Sequence, residues 1–228
     1  KALAAGGIAI GAWLILGALA EVIERIRLFR APLAETLRRA KGLPFGAWGM
    51  TLAHAGLGVF VLGAVVESGF KAEAAQALPV GGQIQVAAYS VRLDKVQIIE
   101  GPNYLAEQGT LTVTPKNGRP ETVTAERRFF PAGGQTTTEV GLDFRGLDDV
   151  YVVMGERRSI PEAAQAWTVR VYWNPWARLI FLGPFIMALG GVLSLLDRRL
   201  RIWTPGRKRQ PVPSPLGGGG SRSETVEG

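Results

Sequence analysis

The sequence predicts an α-helical multi-pass membrane protein of three spans, with one antiparallel all-β domain, a small barrel or sandwich, inserted between the second and third. Three observations lead there. Apolar blocks at Ala2–Ala20, Phe45–Val66 and Pro175–Leu196 approach the ~20 residues that cross a ~30 Å hydrocarbon core. Polar and apolar residues alternate from 67 to 173, as they do in half-buried strands. Basic residues crowd beside the spans: Arg25, Arg27, Arg30, Arg38, Arg39 and Lys41 after the first, and Arg198, Arg199, Arg201, Arg207, Lys208 and Arg209 after the third. Short positive flanks belong on the cytoplasmic side. The chain therefore divides into a span at 1–20, a cytoplasmic basic loop at 21–44, a span at 45–66, a periplasmic β domain at 67–173, a span at 174–196 and a basic cytoplasmic tail at 197–228.

The formal charge of +7 would suggest nucleic acid only if the basic residues shared a soluble face. They flank spans instead, so the expected partner is the membrane and not nucleic acid. With no cysteine, the outer domain has no disulfide and the chain has no thiol chemistry. Lys1 leads almost at once into the first span without a signal-peptide pattern, as expected for a piece of a longer polytopic protein.

The first span carries Trp13 well inside it, and Gly6, Gly7, Gly11 and Gly17 invite close helix neighbours. It runs into Glu21–Phe29, where Val22, Ile23, Ile26 and Phe29 share a face opposite Arg25 and Arg27. Both a helix end with snorkelling arginines and an interfacial amphipathic turn are open there, the helix end being favoured. Pro32 and Pro44 punctuate the basic loop.

The second span, Phe45–Val66, has no Lys, Arg, Asp or Glu and holds the chain's one histidine, His54. At ~1.5 Å per residue His54 lies ~14 Å in, near the midplane, where an ionisable group must face protein, a cavity or a ligand. Imidazole is a usual axial ligand of haem iron. Gly58, one turn on, would let a flat macrocycle or another helix come close. A lone intramembrane histidine also hydrogen-bonds across helix interfaces, so metal ligation and helix packing are both open from the residues alone.

Glu67–Pro79 reads as a polar helical or extended connection, followed by seven strand signals: Gln83–Ala88, Ser90–Ile99, Gly109–Pro115, Glu121–Phe129, Thr136–Phe144, Val150–Gly155 and Trp167–Trp173. Asn117-Gly118 is a type I′ hairpin signal. Asp148 and Asp149 read as turn residues. Arg127-Arg128-Phe129-Phe130 reads as a strand with an exposed charged face, with a grip on propionates or a partner as the sharper alternative. The third span begins beside Trp173 and Trp176, which suit an aromatic belt, with Arg178 free to snorkel, a kink expected at Pro184 and tight packing at Gly190-Gly191. The tail from Thr204 is Pro-, Gly- and Ser-rich and is expected to be disordered, and the GGGGS at 217–221 reads as a linker scar.

No phosphate loop, dinucleotide fingerprint, zinc-protease motif or nucleophile elbow occurs, and a single membrane-buried histidine excludes a Ser-His-Asp triad in the β domain. No residue is singled out as catalytic.

Three stretches carry a resemblance: AWGMTLAHAGLGVFVLG (Ala47–Gly63), GPNYLAEQGTLTVTPKNGRPETVTAERRFFPAGGQTTTEVGLD (Gly101–Asp143) and WTVRVYWNPWARLIFLGPFIMALGGVLSLLDRRLR (Trp167–Arg201). Together they resemble the C-terminal third of the CcmF family, the haem lyase of cytochrome c maturation. The resemblance implies a bacterial inner-membrane protein that receives haem from a periplasmic haem chaperone. It would promote attachment to the CxxCH of apocytochrome c, working with the latter's thiol-handling partner subunit. It also implies a membrane haem b with His54 as one of two axial histidines, the other lying outside this chain along with the family's tryptophan-rich haem-handling segment. The alternative is a non-enzymatic membrane-anchored scaffold in which His54 only packs helices. A quinol-oxidising cytochrome b would need paired histidines of its own, and the related lyase of nitrite reductase maturation stays open.

Overall fold

The computed structural model describes residues 1–161 and 163–197. Its elements run α1 (Ala2–Ile26), α2 (Leu33–Gly42), α3 (Phe45–Phe70), β1 (Ala72–Leu78), β2 (Gln83–Val86), β3 (Tyr89–Glu100), β4 (Leu105–Pro115), β5 (Glu121–Phe130), β6 (Gln135–Glu139), β7 (Gly141–Arg145), β8 (Asp148–Ile160), β9 (Ala163–Asn174) and α4 (Ala177–Leu196). The basic clusters after Asp197, the tail and its linker motif lie outside the described residues.

Among the described residues three helices, α1, α3 and α4, are long and apolar enough to cross a membrane, making this a multi-pass membrane protein. They lie side by side with α3 in the middle, and glycine makes the contacts. Gly49, Gly56 and Gly63 recur every seven residues, so they stack along one face of α3. A Cβ on Gly49 would stand 2.5 Å from the Gly190 carbonyl oxygen, and one on Gly56 2.7 Å from that of Gly183. On the opposite face a Cβ on Gly58 would meet the Gly11 carbonyl oxygen at 2.7 Å, and one on Gly7 would meet Val65. Backbone touches backbone along both seams, the means by which helices associate where no water drives them together. Gly6, Gly17 and Gly191 meet nothing within 4 Å, so they take no part.

Helix α1 continues beyond the apolar block to Ile26, in keeping with the favoured helix-end reading of Glu21–Phe29. Its 25 residues span ~38 Å, more than the hydrocarbon core requires, so Glu21–Ile26 is the emergent end of the same helix. Arg25 pairs with Glu21 at 2.6 Å, and Arg27 closes the helix in the left-handed conformation.

The β domain is a two-sheet antiparallel sandwich, ordered β1-β9-β8-β7 and β2-β3-β4-β5-β6. Val91, Leu93, Leu111, Val113, Val150, Val152, Met154, Val169 and Val171, all fully buried, fill the space between the sheets. The nine strands among the described residues exceed the seven expected, for two reasons. Ala72–Leu78 forms β1 by pairing with β9, register Ala72 to Trp173 through Leu78 to Trp167. The run at 136–144 divides at Val140 into β6, paired with β5 in one sheet, and β7, paired with β8 in the other. Gly141 permits that crossing, since a Cβ there would stand 2.9 Å from Val123 and 3.0 Å from the Thr124 carbonyl oxygen.

The hairpin between β4 and β5 forms where expected, but its turn is not type I′. That turn needs positive φ at two consecutive residues, and only Gly118 has one (148°) while Asn117 does not. A longer loop through 116–120 removes the requirement.

Candidate functional site

The two glycine seams leave His54 on the side of α3 that borders α1, one turn before Gly58. Its ring is exposed and lies in a groove of about 210 Å³ whose other lining comes from α1: Trp13, Leu14, Gly17, Ala18 and Glu21. Trp13 is 72% exposed, and the open space over Gly17 keeps the groove clear beside it.

One hydrogen bond defines the chemistry. His54 Nδ1 stands 2.8 Å from the main-chain oxygen of Met50, one turn earlier on the same helix. A carbonyl oxygen only accepts, so Nδ1 carries the proton and donates. In the neutral form of the ring, Nε2 is then the nitrogen that holds the lone pair. Metal-bound histidines are oriented this way, with the second nitrogen donating to a carbonyl and fixing the tautomer. The bond stays within α3, so it does not tie helices together.

Gly58 has a different job from holding open a cofactor face. It is buried against Ile15 and Gly11 of α1, so at that position helix contact prevails over access for a macrocycle. Among the described residues no cluster of three or more His, Cys, Asp or Glu could hold a metal ion.

The basic-aromatic stretch of β5 is committed internally. Arg128 donates to Glu126 at 2.8 Å, pairs with Glu139 at 3.1 Å and sits 4.6 Å over the Tyr104 ring, which lies 5.6 Å from Phe130. The ion pairs raise the Arg128 pKa, led by the bond to Glu126. For Glu126 burial acts upward, but hydrogen bonds from Gln108 and Arg128 outweigh it and leave the carboxyl below its usual range. Arg127 pairs with Glu156, and Arg157 with Glu107, joining the two sheets. Three separate sequence stretches, the Gly-Pro-Asn turn leading to Tyr104, the Arg-Arg-Phe-Phe strand and the Thr-Thr-Glu run ending at Glu139, thus meet in one cluster. The stretch is a charged strand with its charges paired.

Asp148 and Asp149 open β8 and fasten the sandwich to α4. Asp148 accepts from the Trp173 indole and from the Trp176 main-chain N–H, both at 3.1 Å. Asp149 accepts from Arg178 at 3.3 Å, and that guanidinium lies 4.6 Å over the Phe144 ring. Arg178 is therefore held, not free to snorkel. Trp173 packs against the sandwich core, whereas Trp176, at the start of α4, is 39% exposed. Adjacent aspartates after a Gly-Leu turn gave no sequence signal for a tether, because their partners lie some 25 residues away.

The family profile described as "CcmF C-terminal beta-sandwich" matches residues 69–175. The chain is 41% identical over 205 residues to the cytochrome c-type biogenesis protein CycK of Bradyrhizobium diazoefficiens, covering 90% of this chain and 30% of that one. It is 32% identical over 206 residues to the cytochrome c-type biogenesis protein CcmF of Escherichia coli, covering 90% and 29%. A solved structure, "Cytochrome c Heme Lyase CcmF", superposes with a TM-score of 0.56 at 16% identity over 84% of this chain and 31% of that one, a likeness of fold. The chain spans about 30% of the length of these curated relatives.

Proposed function

The chain belongs to the CcmF family of cytochrome c-type biogenesis proteins, and from that premise we propose that it forms the C-terminal part of a haem lyase in which His54 is one axial ligand of a membrane haem b. The observation that carries this reading is the hydrogen bond from His54 Nδ1 to the Met50 oxygen, which in the neutral ring leaves Nε2 as the available lone pair, in a groove lined by Trp13, Leu14, Gly17, Ala18 and the Glu21 side chain. The donor fits haem iron: an imidazole whose tautomer and orientation are set by its own helix. A groove of about 210 Å³ is smaller than the ~300–1,000 Å³ of a closed ligand site, so α1 and α3 form one wall of a larger one. With a single histidine in the chain, the second nitrogen comes from elsewhere in the complete protein.

Each residue has a bounded task. Met50 holds the tautomer, His54 presents Nε2, Trp13 and Gly17 border the groove, and the glycine seams keep α1 and α3 at fixed spacing. A haem held there by His54 would supply a redox centre, with the imidazole and the groove lining tuning its potential. Packing is the weaker account of His54, because its bond runs within α3 while Gly58 and Gly11 make the helix contact.

In this reading the basic flanks lie on the cytoplasmic side of a bacterial inner membrane and the sandwich lies in the periplasm. The sandwich docks partners from cytochrome c maturation, namely the haem chaperone, or apocytochrome c with its thiol-handling subunit. Support comes from Ile98, Leu105 and Phe129, exposed by 70%, 43% and 43% at the end of the sandwich remote from the helices. The test is a reduced-minus-oxidised absorption spectrum of the complete protein beside its His54→Ala form. Loss or conversion of the low-spin b bands in the variant supports ligation, and identical spectra overturn it.

A further inference from the structure

We propose that α2 is an interfacial helix that lies in the headgroup layer and binds acidic phospholipid. This goes beyond the haem reading and does not depend on it. Helix α2, Leu33–Gly42, hangs between the end of α1 at Ile26 and the start of α3 at Phe45. The two-residue link to α3 reaches at most ~7 Å and the link to α1 ~20 Å, so α2 stays beside the ends of two spans. At ~1.5 Å per residue it is ~15 Å long, too short to cross and long enough to lie flat.

Its faces suit that position. Thr36, 4% exposed, is the side turned toward the protein. Leu33 and Leu37, one turn apart, are 70% and 52% exposed, and Phe29 and Phe45 on the flanking segments are 88% and 59% exposed. Within a water-facing loop these four side chains would be a costly display, whereas at a bilayer surface they reach the acyl boundary.

The charge chooses the lipid. From Arg25 to Lys41 the chain carries six basic residues and one acidic one, Glu35. Glu35 is already taken by Arg38 and by Arg39 at 2.8 Å, and the Arg38 hydrogen bond leads the lowering of its pKa, so it stays ionised and paired. The surplus cations, Arg30 and Lys41 among them, flank the apolar face. That combination of apolar anchors with basic neighbours is the chemistry that acidic headgroups meet.

The chain has no cysteine, so a Leu37→Cys substitution gives one labelling site in it. The complete protein, freed of any cysteine elsewhere, would carry an environment-sensitive fluorophore there in phosphatidylcholine vesicles with and without phosphatidylglycerol. The expected result is quenching several-fold stronger by a lipid carrying a shallow spin label than by aqueous iodide, with the lipid quenching stronger when phosphatidylglycerol is present. An Arg30→Gln/Lys41→Gln background should remove that lipid dependence while leaving the label at the interface. Stronger quenching by iodide would show a solvated loop and overturn the proposal. Protection from both quenchers would show a protein cover and overturn it equally. Lipid quenching that ignores phosphatidylglycerol would overturn the acidic-lipid assignment.

Discussion

The carboxylate of Asp197 accepts a hydrogen bond from the main-chain N–H of Gly46 at 2.9 Å. Asp197 follows the last turn of α4, and Gly46 lies in the first turn of α3, so one side chain caps a neighbouring helix. First-turn N–H groups have no partner within their own helix, and an anion there also meets the positive end of the helix dipole. Asp197 is 8% exposed, so water does not readily replace it. Asp197→Ala should cost about 1–2 kcal/mol, the range of a lost cap. Thermal unfolding of the complete protein should show a midpoint several degrees lower, and Asp197→Asn should recover part of the loss.

The glycine seams predict an unequal response to the same substitution. Gly49→Ala places a methyl 2.5 Å from the Gly190 carbonyl oxygen and 2.7 Å from the Ser194 nitrogen, backbone atoms that yield only if the helices separate. A loss of about 1–3 kcal/mol is expected from such overpacking. Gly17→Ala meets nothing within 4 Å and should not lower stability, with a gain of up to ~1 kcal/mol from helix propensity. Equal effects from the two, measured by thermal unfolding in detergent, would contradict the packing described.

Asp148 should matter more than its neighbours because it alone receives both the Trp173 indole and the Trp176 N–H. Asp148→Ala leaves both donors without their acceptor, at about 1–3 kcal/mol for the pair if water does not reach them. Hydrogen exchange should quicken at the β9–α4 junction while the distal strands keep their protection. Unaltered exchange at Trp173 and Trp176 would contradict the tether.

The Glu126 cluster carries a pH dependence. Its folded pKa is lowered, so its contribution to stability is present above the unfolded value of about 4.3 and is lost as pH falls through the folded value. The difference in exchange protection along β5 between the native protein and Glu126→Gln should therefore be seen near neutrality and vanish in acid. A difference that grew on acidification would reverse the sign and refute the assignment.

Hydropathy revealed the spans because a membrane demands long apolar runs whatever the helices pack against. Their ends were less legible: α1 and α3 continue into polar residues at Glu21–Ile26 and Glu67–Phe70, since a helix does not stop where the lipid does. Ala72–Leu78 gave a weak strand signal because its alanines favour helix in isolation, and only pairing with β9, nearly a hundred residues on, makes it extended. Leu33–Gly42 is too short for a clear apolar period, with only Leu33 and Leu37 marking a face, and the bracketing Pro32 and Pro44 carry the signature of a loop. His54 was visible from its type and depth. Its tautomer was not, since the Met50 oxygen appears only once the ring has a rotamer. Contacts such as Asp197 to Gly46, separated by 151 residues, belong to tertiary structure alone.

His54 Nε2 is the iron ligand we propose. The most direct measurement is the low-spin haem spectrum of the complete protein carrying His54→Gly, recorded before and after imidazole is added. Ligation by His54 predicts that the low-spin signature is lost in the variant and returns with free imidazole, which enters the space the side chain left. A low-spin spectrum unchanged by His54→Gly, with no response to imidazole, would contradict it.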